Sequence, residues 1–307
     1  MNRTQWVGVF PAITTPFKAD LSVDHEFLAR HVNWLVENGC DGIVALGSLG
    51  ESATLAADEK VSILESCVAA SRARVPVVAG IAGLSTRECV TLAQGAAKAG
   101  CEGLMVLPPY VHKGPWREIR GHFSAIIQAT DLSCMLYNNP IAYGTDVTPD
   151  QLEELASHSN LHATKESSGD VRRVTAVVAQ LGARLNVFAG LDDMIVESIA
   201  MGANGWVAGL VNALPAESVE IVRLATSGDF KAAREIYDWF LPLLRLDTLP
   251  DFVQRIKFVQ SELGCGPAYV RPPRLELDSA TAAVTRELLD VALRHRPAVR
   301  SSPMVGS

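Results

Sequence analysis

A lysine, a tyrosine and a serine each stand where an apolar run gives way to a polar turn, and together they could do imine chemistry. Lys165 follows Leu161-His162-Ala163-Thr164, Tyr137 sits near the end of Ser133-Cys134-Met135-Leu136, and Ser48 follows Ile43-Val44-Ala45-Leu46-Gly47. An amine held in an apolar interior has its ammonium form disfavoured, so the neutral amine can attack a carbonyl carbon and form a Schiff base. The iminium that results is an electron sink for the neighbouring carbon. A tyrosine hydroxyl can move protons on and off that carbon, and a serine hydroxyl can relay them. Gly47 and Gly50 on either side of Ser48 would let backbone N–H groups approach a carboxylate closely. Taken singly, each residue has a plainer reading. Lys165 could be a strand-end lysine reaching solvent, Tyr137 a core aromatic, and 47–50 only a tight turn. Glu51 reads better as a charge at the start of the next helix than as a catalytic acid, and Asp192 and Asp193 as caps of the seventh helix.

The elements that would bring these residues together are announced by a repeated device. Asn38-Gly39-Cys40-Asp41-Gly42, Ala99-Gly100-Cys101-Glu102-Gly103 and Met201-Gly202-Ala203-Asn204-Gly205 each follow a helical pattern and precede an apolar run. The first glycine would end a helix in the left-handed region and the second would open a strand, which is the short return loop of a βα unit. Eight strands are expected near Trp6–Thr14, Gly42–Gly47, Val75–Ile81, Gly103–Leu107, Ser133–Asn138, Leu161–Lys165, Leu185–Ala189 and Gly205–Leu210. Helical patterns separate them, with Ser85-Thr86-Arg87-Glu88 as a capping box and Thr148-Pro149 placing proline at a first helical position. Eight alternating units over residues 1–228 fit an α/β protein of the (β/α)₈ TIM barrel type, with a site at the carboxyl ends of the strands. An open doubly wound sheet is the alternative, but the first strand leads into Thr14-Thr15-Pro16-Phe17 rather than a phosphate-binding glycine loop. Residues 229–295 read as a three-helix C-terminal appendage (Phe230–Arg245, Leu249–Leu263 and Ser279–Arg294), and 296–307 as a flexible tail.

A net charge of -7 with no basic stripe argues against nucleic acid and anionic membrane surfaces, and no apolar run approaches the ~18 residues of a membrane span. The N-terminus lacks a signal-peptide core. Six scattered cysteines with no C-x-x-C spacing point to buried thiols, and the seven histidines offer no plausible metal face. The composition suggests a cytoplasmic protein with neither metal nor cofactor.

Three ordered stretches, Gly47-Ser48-Leu49-Gly50-Glu51, Tyr137-Asn138-Asn139-Pro140 and Lys165-Glu166-Ser167, resemble the signature motifs of the dihydrodipicolinate synthase/N-acetylneuraminate lyase family. The similarity runs along essentially the whole chain. It implies a class I enzyme in which Lys165 forms the Schiff base and Tyr137 is the acid/base. Ser48 stands at the relaying hydroxyl position, and the N–H groups of Ser48 and Leu49 would hold the carboxylate of a 2-oxo or 2-imino acid. Tyr110 matches a tyrosine that reaches into a neighbouring subunit's site, implying at least a dimer and commonly a homotetramer. Gly190 and Val207 match positions lining the pyruvoyl end.

The sequence departs from two branches of that family. Ala142 stands where the synthases carry an arginine that grips a second carboxylate, and Ala208-Gly209-Leu210 is apolar where sialate lyases place a small hydroxyl residue. A pocket with one carboxylate site, the phenol of Tyr143 and few charges at its far end is the expectation. The stretches 137–144, 165–173 and 205–212 look most like the subgroup that deaminates 1-pyrroline-4-hydroxy-2-carboxylate in hydroxyproline breakdown. The rivals are an aldolase or hydro-lyase of another 2-oxo acid, synthase-like or sialate-lyase-like, and a barrel that binds a small acid without turning it over.

Overall fold

The computed structural model describes residues 1–304. Its eight strands are β1 (Gly8–Pro11), β2 (Ile43–Ala45), β3 (Val77–Ile81), β4 (Gly103–Val106), β5 (Ser133–Asn138), β6 (Leu161–Glu166), β7 (Asn186–Ala189) and β8 (Gly205–Ala208). All neighbouring pairs are parallel, in the order β1-β8-β7-β6-β5-β4-β3-β2. A bridge between Ala12 and Val44 joins the two ends and closes the barrel. Around it lie α1 (His25–Glu37), α2 (Ala57–Ser71), α3 (Thr86–Lys98), α4 (Trp116–Ile127), the one-turn α5 (Pro140–Tyr143), α6 (Pro149–Leu155), α7 (Val171–Leu181), α8 (Ile195–Ala200) and α9 (Pro215–Thr226). Strands in such a barrel are covered on both faces, and apart from the first residue of β1 and His162 every strand residue is buried.

The glycine pairs divide their work. Gly39, Gly100 and Gly202 take φ of 89°, 90° and 99°, the left-handed turn that ends a helix. The second glycines serve packing at the barrel floor. A side chain at Gly42 would overlap the Phe10 ring, and one at Gly205 would come within 2.6 Å of Phe188. Trp6, Phe10 and Phe188 form that floor, with ring centroids 5.3 to 6.1 Å apart. The buried indole N–H of Trp6 is satisfied by Ser133 Oγ at 2.7 Å. Trp6 therefore plugs the barrel below β1 instead of joining it, so β1 is shorter than its apolar run.

Thr148 and Gln151 form the reciprocal box around Pro149, whereas the box expected at Ser85 is only half formed: Ser85 accepts from Glu88 N, but the Glu88 carboxylate accepts from Leu84 N at 3.0 Å, one residue before the cap. Asp192 and Asp193 do not cap: α8 begins after Met194 without a side-chain cap, and Asp192 turns elsewhere, as described below. Six buried, unbridged cysteines fill the core. Among the described residues no group of three or more His, Cys, Asp or Glu side chains is placed to hold a metal, and no helix is long and apolar enough to cross a membrane.

After α9 come α10 (Phe230–Leu244), α11 (Phe252–Glu262) and α12 (Ser279–Arg294). Their tie to the barrel corrects the expectation for Glu51. Its backbone is left-handed, with φ 56°, and its carboxylate is buried away from α2, which has Asp58 and Glu59 in its own first turn. Glu51 instead accepts from Lys257 Nζ of α11 at 2.5 Å and from Arg271 N at 3.1 Å, while Lys257 also donates to the carbonyl of Tyr269. The expected free tail also makes contacts. Ser302 O accepts from Trp34 Nε1 at 2.8 Å, Ser302 N donates to Asn38, and Arg296 pairs with Glu217. Residues 305–307 of that tail lie outside the described residues.

Removing one member of a buried pair leaves the other charge uncompensated. Lys257→Met is therefore expected to lower unfolding free energy by about 3–5 kcal/mol, with much of the loss recovered in the double variant with Glu51→Leu. Urea unfolding measures both, and a single variant within about 1 kcal/mol of wild type would refute the role given to this pair.

Candidate active site

Side chains alternate along a strand, so a residue and its cross-strand neighbour share a face. Tyr137 on β5 pairs in register with Lys165 on β6, and Asn138 with Glu166. The first pair points into the barrel mouth, where the Lys165 ammonium lies over the Tyr137 ring, 4.3 Å from its centroid. The second pair points outward and braces the strand ends. Asn138 Nδ2 donates to Glu166 Oε2 at 3.1 Å, Val147 N donates to Asn138 Oδ1, and Ser168 N to Glu166 Oε1. Local hydrogen bonds thus fix the tips from which the two inward groups project.

Lys165 is 6% exposed, and burial pulls its pKa down to about 8 against the opposing pull of Asp247 and Asp192. Burial raises Tyr137 to about 12, although Asn139 Nδ2 donates to its hydroxyl at 3.0 Å. The site therefore holds an amine that can be neutral near pH 8 and a phenol that keeps its proton until one is needed. Gly190 makes room for the amine: a Cβ there would stand 2.8 Å from Lys165 Cε and overlap the Ser167 hydroxyl.

The loop after β2 is bent by Leu46, whose φ of 62° places a bulky residue in the left-handed region. Such strain costs about 1–3 kcal/mol and persists where surrounding packing imposes it. Gly80 is part of that packing, since a Cβ on it would stand 2.5 Å from the Leu46 carbonyl. The bend turns Ser48 and Leu49 to the cavity. Neither of their N–H groups donates to a protein acceptor among the described residues, which leaves two donors side by side. Ser48 Oγ is hydrogen-bonded to the Tyr143 hydroxyl. Tyr143 packs edge-on against Tyr137 at 5.8 Å and stacks on Tyr110 at 5.5 Å. Burial raises the pKa of both Tyr143 and Tyr110.

These groups share one cavity of about 520 Å³. Lys165, Tyr137, Ser48, Leu49, Gly190, Val207 and Tyr143, all anticipated from the sequence, line it, and Ala142 is at its rim. Tyr110 is not in the lining and reaches the site only through its stack on Tyr143. The far end is not poor in charge, contrary to expectation. Asp247 and Arg274 line it, brought from the C-terminal segment together with Thr248, Leu249 and Phe252. Asp192 lies beneath the wall, where it accepts from Trp206 Nε1 at 3.1 Å, Gly209 N at 3.0 Å and Leu210 N at 2.8 Å. Burial raises it to about 6 against those donors. It buttresses the β8 end instead of capping α8. Asp247 and Arg274 escaped the sequence reading because both come from turns between the C-terminal helices. The break Leu246-Asp247-Thr248-Leu249-Pro250 marks the turn at Asp247, and Pro272-Pro273 marks that before Arg274.

The cavity thus gathers a buried amine, a proton-carrying phenol and paired backbone donors, parts that imine formation on a small acid would use. Comparison with known proteins gives the family. The family model described as "Dihydrodipicolinate synthetase family" matches residues 5–291. The 4-hydroxy-tetrahydrodipicolinate synthase of Haloarcula marismortui is 33% identical over 290 residues, covering 94% of each chain. The solved 4-hydroxy-tetrahydrodipicolinate synthase of Methylacidiphilum fumariolicum SolV superposes with a TM-score of 0.90 at 28% identity, over 94% of this chain and 96% of that one. A prophage protein of the dihydrodipicolinic acid synthase family from E. coli K12, solved in complex with pyruvate, gives a TM-score of 0.89 at 29% identity, over 94% and 99%. These names stop at the family and its synthases and do not reach the deaminase subgroup. A whole-chain match of sequence, fold and motif order places the chain in the dihydrodipicolinate synthetase family.

Proposed function

We propose that this protein is a Schiff-base lyase of small 2-oxo or 2-imino acids, and that its substrate is 1-pyrroline-4-hydroxy-2-carboxylate, which it converts with water to 2,5-dioxopentanoate and ammonia. The substrate assignment is carried by Ala142, a methyl group at the cavity rim where a second carboxylate would need a cation. A compact ring with one carboxylate makes no such demand. The N–H groups of Ser48 and Leu49 receive that carboxylate, and Lys165 Nζ attacks the ring imine carbon. The C2–N bond to the ring nitrogen then breaks as that nitrogen takes the Tyr137 proton, leaving a free amine on C5 and a phenolate at Tyr137. Tyr137 takes a proton from C3, and the electron pair expels the C4 hydroxyl as water. A proton shift from C5 to C3 yields an enamine, which becomes an imine at C5. Hydrolysis of that imine releases ammonia, and hydrolysis at C2 frees Lys165. One water is lost and two are consumed, which balances the reaction. Ser48 and Tyr143 form the relay that returns the proton to Tyr137.

A second reading has support of its own. The relatives' names are those of a synthase, and Arg274 adds to the wall a cation whose nearest carboxylate, Glu51 at 3.8 Å, is already engaged by Lys257. In this reading a pyruvate enamine on Lys165 adds to an aldehyde whose carboxylate Arg274 holds.

Borohydride added with pyruvate or the hydroxypyrroline acid is expected to fix ligand mass on Lys165, and Lys165→Ala to abolish it. No adduct with either compound refutes the Schiff-base reading. Ammonia release from the hydroxypyrroline acid supports the deaminase. Consumption of pyruvate with aspartate semialdehyde, and no ammonia, supports the second reading instead.

Only the neutral amine attacks, so trapping at low ligand concentration should rise about tenfold per pH unit below pH 8 and level off above it. A profile still climbing tenfold per unit at pH 10 would contradict the depressed amine.

We infer that Tyr110 meets a neighbouring subunit in a homotetramer, and light scattering is expected to return a dimer or tetramer. A fully active monomer removes that role.

A further inference from the structure

We propose that Asp247 is a further catalytic residue, the acid that protonates the hydroxyl as it leaves the substrate carbon two bonds beyond the imine carbon. The assignment rests on the deaminase reading and adds to it a source for the proton that the departing water carries away.

Asp247 lies in the single 3₁₀ turn Arg245–Thr248 between α10 and α11, and it lines the same cavity as Lys165 and Val207. Its carboxyl packs on the backbone where β8 ends. A Cβ at Gly209 would stand 2.5 Å from Asp247 Oδ1 and 3.2 Å from Cγ, so the approach requires glycine there. The apolar Ala208-Gly209-Leu210 stretch thus gives the site a carboxyl in place of a hydroxyl residue.

Two carboxyls act on the charge of the amine, and their surroundings differ. Asp192 is held by three protein donors, Trp206 Nε1, Gly209 N and Leu210 N. Asp247 accepts no hydrogen bond from any side chain or backbone group among the described residues, and it faces the cavity. Like charges held close in a low-dielectric site do not both ionise readily, and the proton goes to the carboxyl without donors. Burial, then the charge of Asp192, push Asp247 well above the ordinary carboxylate range, with Asp193 adding to the push and Lys165 opposing it. Asp247 therefore has an O–H to give.

The step balances. Tyr137 removes a proton from C3, the C3–C4 double bond forms, and the C4–O bond breaks. The departing oxygen takes the Asp247 proton and leaves as water, and Asp247 becomes a carboxylate. In the following shift that carboxylate takes the proton from C5 while Tyr137 returns its own to C3, which restores the acid for the next turnover.

Wild type, Asp247→Asn and Asp247→Glu are compared for ammonia release from the hydroxypyrroline acid and for borohydride trapping. Asp247→Asn should trap pyruvate on Lys165 as wild type does. Its kcat for ammonia release should fall by about 100-fold or more, with KM changed only a few-fold. With the hydroxypyrroline acid, its trapped adduct should retain the C4 hydroxyl and so be one water heavier than the dehydrated species. Asp247→Glu should recover part of kcat. An Asp247→Asn enzyme with normal trapping and kcat within threefold of wild type overturns the assignment while leaving the deaminase reading intact. A wild-type enzyme that traps pyruvate but releases no ammonia overturns the deaminase reading, and the role of Asp247 with it.

Discussion

The cost of keeping an ammonium out of water governs this molecule. Lys165 sits buried at the mouth of the barrel, and burial pulls the pKa of its amine down to about 8, where the neutral form becomes available. Everything around it sets how far that shift goes. The Tyr137 ring face and the negative charge shared by the Asp192 and Asp247 carboxyls recover part of the lost solvation. With less compensation the amine would never be charged, and with more it would stay protonated and inert. A pKa near 8 is the balance of those opposing effects.

Position comes from register, and register comes from the barrel. Tyr137 and Lys165 meet because they are cross-strand partners, and the next residues on each strand, Asn138 and Glu166, lock the tips from outside. The Trp6, Phe10 and Phe188 floor holds the other end of the strands, with glycines trimmed to fit it. Loops at the mouth can then change without disturbing what holds the strands in line, as expected where barrel floors carry stability and mouths carry chemistry.

What the sequence reveals about this protein follows from how local each signal is. Helix-ending glycines and apolar runs act over a few residues, so the eight units, and with them Lys165, Tyr137 and Ser48, could be placed on one face, whereas Gly190 and Val207 were picked out only by the family resemblance. Asp192 was misjudged because its position before a helix suggests a cap, whereas its donors lie 14 to 18 residues away on β8 and the loop after it. Glu51 was misjudged for the same reason, its partner being 206 residues distant. Asp247 and Arg274 carry no motif. They reach the cavity only because the C-terminal helices fold back over it, and no short-range pattern encodes that return.

The Glu51–Lys257 pair has a consequence for how the protein comes into being. Glu51 immediately follows the loop that offers Ser48 and Leu49 to the cavity, and Lys257 stands on the helix that begins just past Asp247 and Thr248. The residues that would bind and attack a small acid are therefore all synthesised before the chain that completes their enclosure. A ribosome-bound barrel lacking its last helices would hold Glu51 without its counter-ion and Lys165 without the wall that keeps water away. The enclosure of the cavity is then completed only by the final quarter of the chain, which supplies Asp247, Phe252 and Arg274 to its wall.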